Sequence, residues 1–193
     1  MKNIVVFCGS SAGHDPVFME QALQLGEALA KRNIGLVYGG AKVGLMGAVA
    51  DGALRAGGSV IGVLPHFLQQ KELAHTGLTE LILVDTMHER KTRMNELSDG
   101  VIALPGGFGT MEELFEMLTW GQLGLHQKPI GMLNTNGFYD ALHQLSHTMA
   151  DKGFLSASNR DILLYSDKIE DLLTQMEQYQ PVEKPKWITP GQS

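Results

Sequence analysis

The chain has 193 residues, 44% hydrophobic and 19% charged, which is enough for one compact domain with a sizeable core and excludes a disordered or collagen-like chain. Fifteen Lys and Arg stand against 21 Asp and Glu, a formal net charge of -6, so the surface repels polyanions and argues against binding of a nucleic-acid polymer. No apolar run reaches the roughly 20 residues of a membrane helix, and one unpaired cysteine behind an N-terminus without signal-peptide shape points to a cytoplasmic protein.

Short β-branched runs alternate with longer amphipathic stretches along the chain. Residues 4–7 read as a strand ending at Cys8, and the glycine turn 8–13 leads into a helix over 16–32. A strand at 35–38, a second glycine turn and a helix over 45–56 follow, then a strand at 60–64. The polar segment 65–80, with His66, Lys71, Glu72 and His75, breaks this rhythm and reads as a loop of the lid or partner-contact kind. A strand at 81–84 and a helix over 88–97 resume it. Next come a strand at 101–104, a third glycine turn at 105–110 and a helix over 111–123. Strands at 130–133 and 162–165, with helices over 138–152 and 168–179, complete the series. Residues 1–180 are expected to form one domain, and 181–193, which hold three of the seven prolines, a mobile tail. Strand runs such as GLVYGG are apolar on both faces, so the fold class is α/β: a doubly wound, mostly parallel sheet with helices on both sides. Such sheets bind ligands beyond the carboxyl ends of their strands.

All three glycine turns, CGSSAG at 8–13, YGGAKVGLMG at 38–47 and PGGFGT at 105–110, join a strand to a helix. Backbone amides unobstructed by a Cβ, added to the positive end of a helix, suit a phosphate group. The spacing excludes two familiar nucleotide sites. GSSAG lacks the register of a dinucleotide-binding G-x-G-x-x-G, and Gly44 is followed by Leu45 and Met46 where a Walker motif needs Lys and Ser or Thr.

On a helix beginning near Met87, the apolar stripe of Met87, Met94 and Leu97 has Arg90 at its centre. An arginine on a buried face seeks an anion, which its guanidinium can grip with two parallel hydrogen bonds, whereas Lys91 at the stripe's edge supplies a point charge. Glu112, Glu113 and Glu116 follow the third glycine turn. Thr110 and Glu113 fit a T-x-x-E capping box, while the position of Glu113 at the carboxyl end of a central strand also suits acid/base or electrostatic work. His143 and His147 lie four apart but lack the glutamate of a zinc-protease helix. Cys8 has no adjacent base and reads as a small core residue.

These residues together resemble the LOG family of cytokinin-activating phosphoribohydrolases, whose members also carry the label of possible lysine decarboxylases. The resemblance runs through FCGSS at 7–11, GLVYGG at 35–40, GLMG at 44–47, MHERK at 87–91, ALPGGFGTMEEL at 103–114, TWGQLG at 119–124 and KPIGMLN at 128–134. One departure is Ala41, where the family commonly has a third consecutive glycine. The resemblance implies a Rossmann-like homodimer that hydrolyses the N-glycosidic bond of an N6-modified or plain AMP to free base and ribose 5-phosphate, without metal or redox cofactor. It implies Arg90 and Glu113 as the catalytic pair. For the nucleotide it implies Gly9, Ser10, Gly39, Gly40 and Met46 from the first two turns, Glu72 from the polar loop, and Met87 and Lys91 beside Arg90. From the third turn and its helix it adds Gly106, Gly107, Phe108, Gly109, Thr110 and Thr119. The decarboxylase label fits poorly, because no lysine stands in a recognisable pyridoxal phosphate site. A second class of function uses the same fold, the non-catalytic carrier of a nucleotide or of molybdenum cofactor. Retention of both Arg90 and Glu113 favours the enzyme.

Overall fold

A computed structural model describes residues 1–69 and 74–181 of the chain. Lys71 and Glu72 are not among them, so the expectation for Glu72 lies outside the described residues, as does that of a tail over 181–193 apart from Pro181. Seven parallel strands form one sheet: β1 (Asn3–Phe7), β2 (Gly35–Tyr38), β3 (Val60–Pro65), β4 (Glu80–Val84), β5 (Gly100–Ala103), β6 (Ile130–Leu133) and β7 (Leu163–Ser166). Their order is β4-β3-β2-β1-β5-β6-β7. The chain therefore winds outward from β1, crosses back to lay β5 against β1, and winds outward again. The reversal opens a crevice beyond the carboxyl ends of β1 and β5.

Between the strands run α1 (Val17–Lys31), α2 (Gly44–Arg55), α3 (His66–Gln69), α4 (Met87–Glu96), α5 (Phe108–Leu123), α6 (Asp140–Asp151), α7 (Ala157–Arg160) and α8 (Ile169–Gln178). The seven strands expected from sequence all form, with bounds shifted by no more than a residue. The segment 65–80 differs, since its start coils into α3 and Ala74 bridges back to Ala41. The short α7 was also not anticipated.

Alternation along β1 explains the two cores. Ile4 and Val6 point into one apolar layer with Leu25, Leu29, Val49 and Leu172, beneath α1, α2 and α8. Val5 and Phe7 point into the other with Met94, Leu114, Met117 and Tyr139, beneath α4, α5 and α6. Both layers are required because a parallel sheet is apolar on both faces.

The closest helix contact is between α1 and α2, where glycines let backbones touch. A Cβ on Gly26 would stand 2.1 Å from the Val49 carbonyl oxygen, and one on Gly52 would stand 2.0 Å from that of Leu23. Backbone cannot swing aside as a side chain can, so one added methyl must force the helices apart. We predict that Gly52→Ala lowers unfolding free energy by about 1–3 kcal/mol, measured by urea denaturation; unchanged stability would show that the helices part freely.

Candidate active site

Two loops from the central strands and the helices beyond them wall a cleft of about 310 Å³ at the crevice, lined by Cys8, Gly9, Ser10, Met46, Leu68, Met87, Arg90, Gly107, Gly109, Thr110, Glu112 and Glu113. An adjoining cavity of about 380 Å³ shares Gly9, Ser10 and Gly107 with it and adds Gly106, Phe18 and Phe138.

Arg90 is placed by the start of α4. Thr86 caps the helix, its Oγ1 accepting from the Glu89 amide at 3.0 Å, while the Glu89 carboxylate accepts from the Asp85 amide at 2.8 Å. With the helix begun at Met87, Arg90 and Met94 are its buried side chains, as the apolar stripe requires. The expected anion is not its direct partner. Arg90 Nε donates to the Val63 carbonyl at 3.1 Å and Nη2 to the Gly39 carbonyl at 3.2 Å, so the guanidinium ties together the carboxyl ends of β3 and β2. Among the described residues Nη1 has only the Met87 sulfur, at 3.9 Å. A Cβ on Gly39 would stand 2.2 Å from Nη2, which explains a glycine there.

Glu113 stands on α5, which begins at Phe108 with Gly107 as its N-cap, three residues before the expected start. The capping-box reading of Thr110 and Glu113 is therefore corrected. Thr110 is an interior helical residue, and Glu113 lies in the second turn, too far along to satisfy a cap amide. Its carboxylate has no hydrogen bond or ion pair to any described residue. Burial raises the carboxyl most; Arg90 across the cleft draws it down, Glu112 and Glu116 push it up, and the balance puts it at about 7. The group is thus poised between its two protonation states near neutrality. The free amides of the first turn of α5 line the same cleft and present a positive end to an anion.

The structure brings nine of the expected residues to the cleft wall: Gly9, Ser10, Met46, Met87, Arg90, Gly107, Gly109, Thr110 and Glu113. Gly106 lines the adjoining cavity. Gly39 supports Arg90 from behind, and Gly40 accepts from the His75 amide. Three residues stand elsewhere. Lys91 is taken by Glu112 at 2.6 Å and Glu116 at 3.0 Å. Phe108 projects into solvent at 94% exposure. Thr119 donates to the Phe115 carbonyl and lines a separate apolar groove between α5 and α6. Residue reading missed the wall positions of Leu68 and Glu112. An apolar pair, Phe67 and Leu68, within an otherwise polar loop was the available signal for the first. Cys8 is both a core residue and part of the wall, its thiol pushed far up by burial and then by Glu113. His143 and His147 face each other, Nε2 to Nε2 at 3.4 Å, on α6, and among the described residues no group of three or more His, Cys, Asp or Glu converges as a metal site.

A family model described as "Possible lysine decarboxylase" matches residues 46–176. The chain is 51% identical over 176 residues, 91% of its length and 79% of the relative's, to the "Probable cytokinin riboside 5'-monophosphate phosphoribohydrolase LOGL1" of Oryza sativa subsp. japonica. It is 45% identical over 180 residues, 93% of its length and 83% of the relative's, to cytokinin riboside 5'-monophosphate phosphoribohydrolase LOG7 of Arabidopsis thaliana. The chain belongs to the LOG family. Among solved structures, a molybdenum cofactor binding protein from Rippkaea orientalis superposes with a TM-score of 0.69 at 24% identity, over 92% of this chain and 97% of that one. The molybdenum cofactor carrier protein of Chlamydomonas reinhardtii gives 0.70 at 22%, over 91% and 96%. At these identities the likeness is one of fold. The decarboxylase wording of the family model does not fit this LOG-family cleft, because pyridoxal phosphate needs a Schiff-base lysine and none lines it among the described residues.

Burial of Glu113 fixes the sign of a pH effect. Its carboxyl ionises at about 7 when folded against 4.5 when free, so the folded chain holds the extra proton between these values and stability falls as pH rises through them. Glu113→Gln, which never ionises, should match wild type below pH 4.5 and gain on it up to pH 7, by at most roughly 3 kcal/mol. Chemical denaturation of both proteins across that range tests this; a difference independent of pH would show that Glu113 ionises as an ordinary carboxylate.

Proposed function

We propose that this chain hydrolyses the N-glycosidic bond of a cytokinin riboside 5′-monophosphate, an N6-modified AMP, to free base and ribose 5-phosphate. The observation that carries the reading is a pairing. Arg90 and Glu113 line one cleft beneath the amides of a helix N-terminus, in a chain 51% and 45% identical to relatives named for this reaction. Breaking the bond from ribose to base leaves oxocarbenium character on the sugar. A carboxylate beside that carbon stabilises the charge and orients or deprotonates the attacking water. Glu113 takes this role, and its position near its own ionisation point lets it accept a proton at neutral pH. Arg90 offers its Nη1 edge to the substrate and draws Glu113 toward its charged form, while the amides of Gly107 to Thr110 receive the phosphate.

Plain AMP is included as a substrate, and the cytoplasm is the compartment in which we place the reaction. The second reading, a carrier of nucleotide or molybdenum cofactor, rests on likeness of fold alone. A carrier has no use for a half-buried carboxylate that faces an arginine and has no hydrogen-bond partner among the described residues. We further propose that the chain works as a homodimer through the groove between α5 and α6, where Phe115, Leu118, Leu142, Met149 and Leu163 form an apolar wall and Phe154 stands 88% exposed. Exposed apolar surface of this kind marks an interface.

Two measurements follow. Purified protein given N6-isopentenyl AMP or AMP in the presence of a chelator should release free base and ribose 5-phosphate, detected by chromatography, and act far less on the nucleoside. Glu113→Gln should still bind AMP but lose about two orders of magnitude or more in turnover, while Glu112→Gln stays within about tenfold. Equal losses in both, or equal turnover of AMP and adenosine, would sink the assignment. Light scattering should give twice the chain mass for wild type and the single-chain mass for Phe154→Glu/Leu142→Glu; a wild-type monomer removes the dimer.

A further inference from the structure

Glu113 belongs to an acidic stretch of α5, with Glu112 before it and Glu116 one turn on. The charges of Glu112 and Glu116 oppose the ionisation of the more deeply buried Glu113. Lys91 enters this cluster from α4. Its ammonium donates to Glu112 Oε1 at 2.6 Å and to Glu116 Oε1 at 3.0 Å, and its side chain is only 15% exposed. Burial works against its charge, yet the hydrogen bonds it donates to Glu112 and Glu116, with their charges, outweigh that and hold the ammonium above its ordinary range. Lys91 therefore stays charged wherever Glu113 titrates.

We propose that Lys91 is a positioning residue, which acts on the reaction through Glu113 by neutralising the two carboxylates that flank it and by tying α4, the helix of Arg90, to α5. The inference deepens the hydrolase reading and rests on it for its catalytic meaning. Among the described residues, the charged and titratable groups that face Glu113 are Arg90 and Lys91 from α4, Glu112 and Glu116 from α5, and Cys8 at the end of β1. Arg90 is fixed in charge, and the Cys8 thiol stays protonated through the range. The variable is thus how much negative charge Glu113 feels from Glu112 and Glu116, and Lys91 offsets it both by pairing with them and by its own charge. Without Lys91 two uncompensated carboxylates face Glu113, and its proton is released at higher pH. With Lys91 kept and both glutamates made neutral, it is released at lower pH.

The test reads Glu113 directly and through turnover. In protein carrying ¹³C at glutamate carboxyls, with the Glu113 signal assigned by its loss in Glu113→Gln, the titration midpoint should rise by about one pH unit in Lys91→Met. It should remain near wild type in Lys91→Arg and fall in Glu112→Gln/Glu116→Gln. Glu112→Gln/Glu116→Gln/Lys91→Met should return toward the wild-type midpoint. The acidic limb of kcat/KM for nucleotide hydrolysis should follow the same order. A merely structural lysine would lower turnover by one factor at every pH and leave the midpoint in place, and that result overturns the proposal. Should Lys91→Met fail to fold, Glu112→Gln/Glu116→Gln decides alone, since an unmoved midpoint there refutes the coupling. Failure of the hydrolase reading is distinguishable: wild type then releases no base, while the midpoint still moves among the variants.

Discussion

A guanidinium cannot shed its proton, and the fold is arranged around that fact at Arg90. Its head is buried where β2 and β3 end, and the carbonyls of Gly39 and Val63 satisfy two of its nitrogens. Carbonyl dipoles reduce the cost of burying the charge without cancelling it. The remaining attraction is felt by Glu113, which stands across the cleft and would otherwise hold its proton to still higher pH. A buried positive charge next to a carboxylate at its ionisation point is what an anionic nucleotide with a bond to be broken calls for. Local choices elsewhere serve the same placement. Thr86 begins α4 at Met87, so that the fourth helical residue points inward, and Gly39 leaves the space that Nη2 fills.

The order in which the strands are laid down then decides what meets Arg90. Because the chain returns from β4 to place β5 beside β1, the loop after β5 opens over the same crevice as the loop after β1. The glycines of PGGFGT let that loop coil into α5 at once. The early start has two consequences: the first-turn amides line the cleft, and Glu113 falls in the second turn, facing Arg90 with no cap to serve. Had the helix begun at Met111, the same glutamate would have been used up by the backbone.

Likeness of fold and likeness of chemistry separate in this protein. The molybdenum cofactor proteins share the sheet and its windings at 22–24% identity, and a doubly wound sheet presents a crevice to ligands whatever the reaction. What the relatives at 45–51% identity add is a context in which Arg90 and Glu113 have a purpose. A carboxylate raised to near neutrality chiefly by burial is costly to stability, and in the proposed hydrolase it serves proton transfer.

Much of this was legible in the residues themselves. β-Branched runs apolar on both faces dictated a parallel sheet, since only a sheet covered on both sides buries them. The inward placement of Arg90, a polar intruder in an otherwise apolar stripe, was legible because period-3.6 geometry sends it there. What sequence spacing could not decide was partnership. A T-x-x-E pattern is equally a capping box or two interior residues, and only the real start of α5 at Phe108 distinguished them. The nucleotide-site expectation for Lys91 came from family resemblance, and spacing alone did not show that 100° of helical rotation from Arg90 points it at Glu112 and Glu116 on α5, 21 and 25 residues away in the chain. Phe67 and Leu68 were visible as apolar, but that Leu68 lines the cleft beside Met87 and Arg90 of α4 was not. Each of these follows from contacts between elements distant in sequence, which periodicity along one element does not encode.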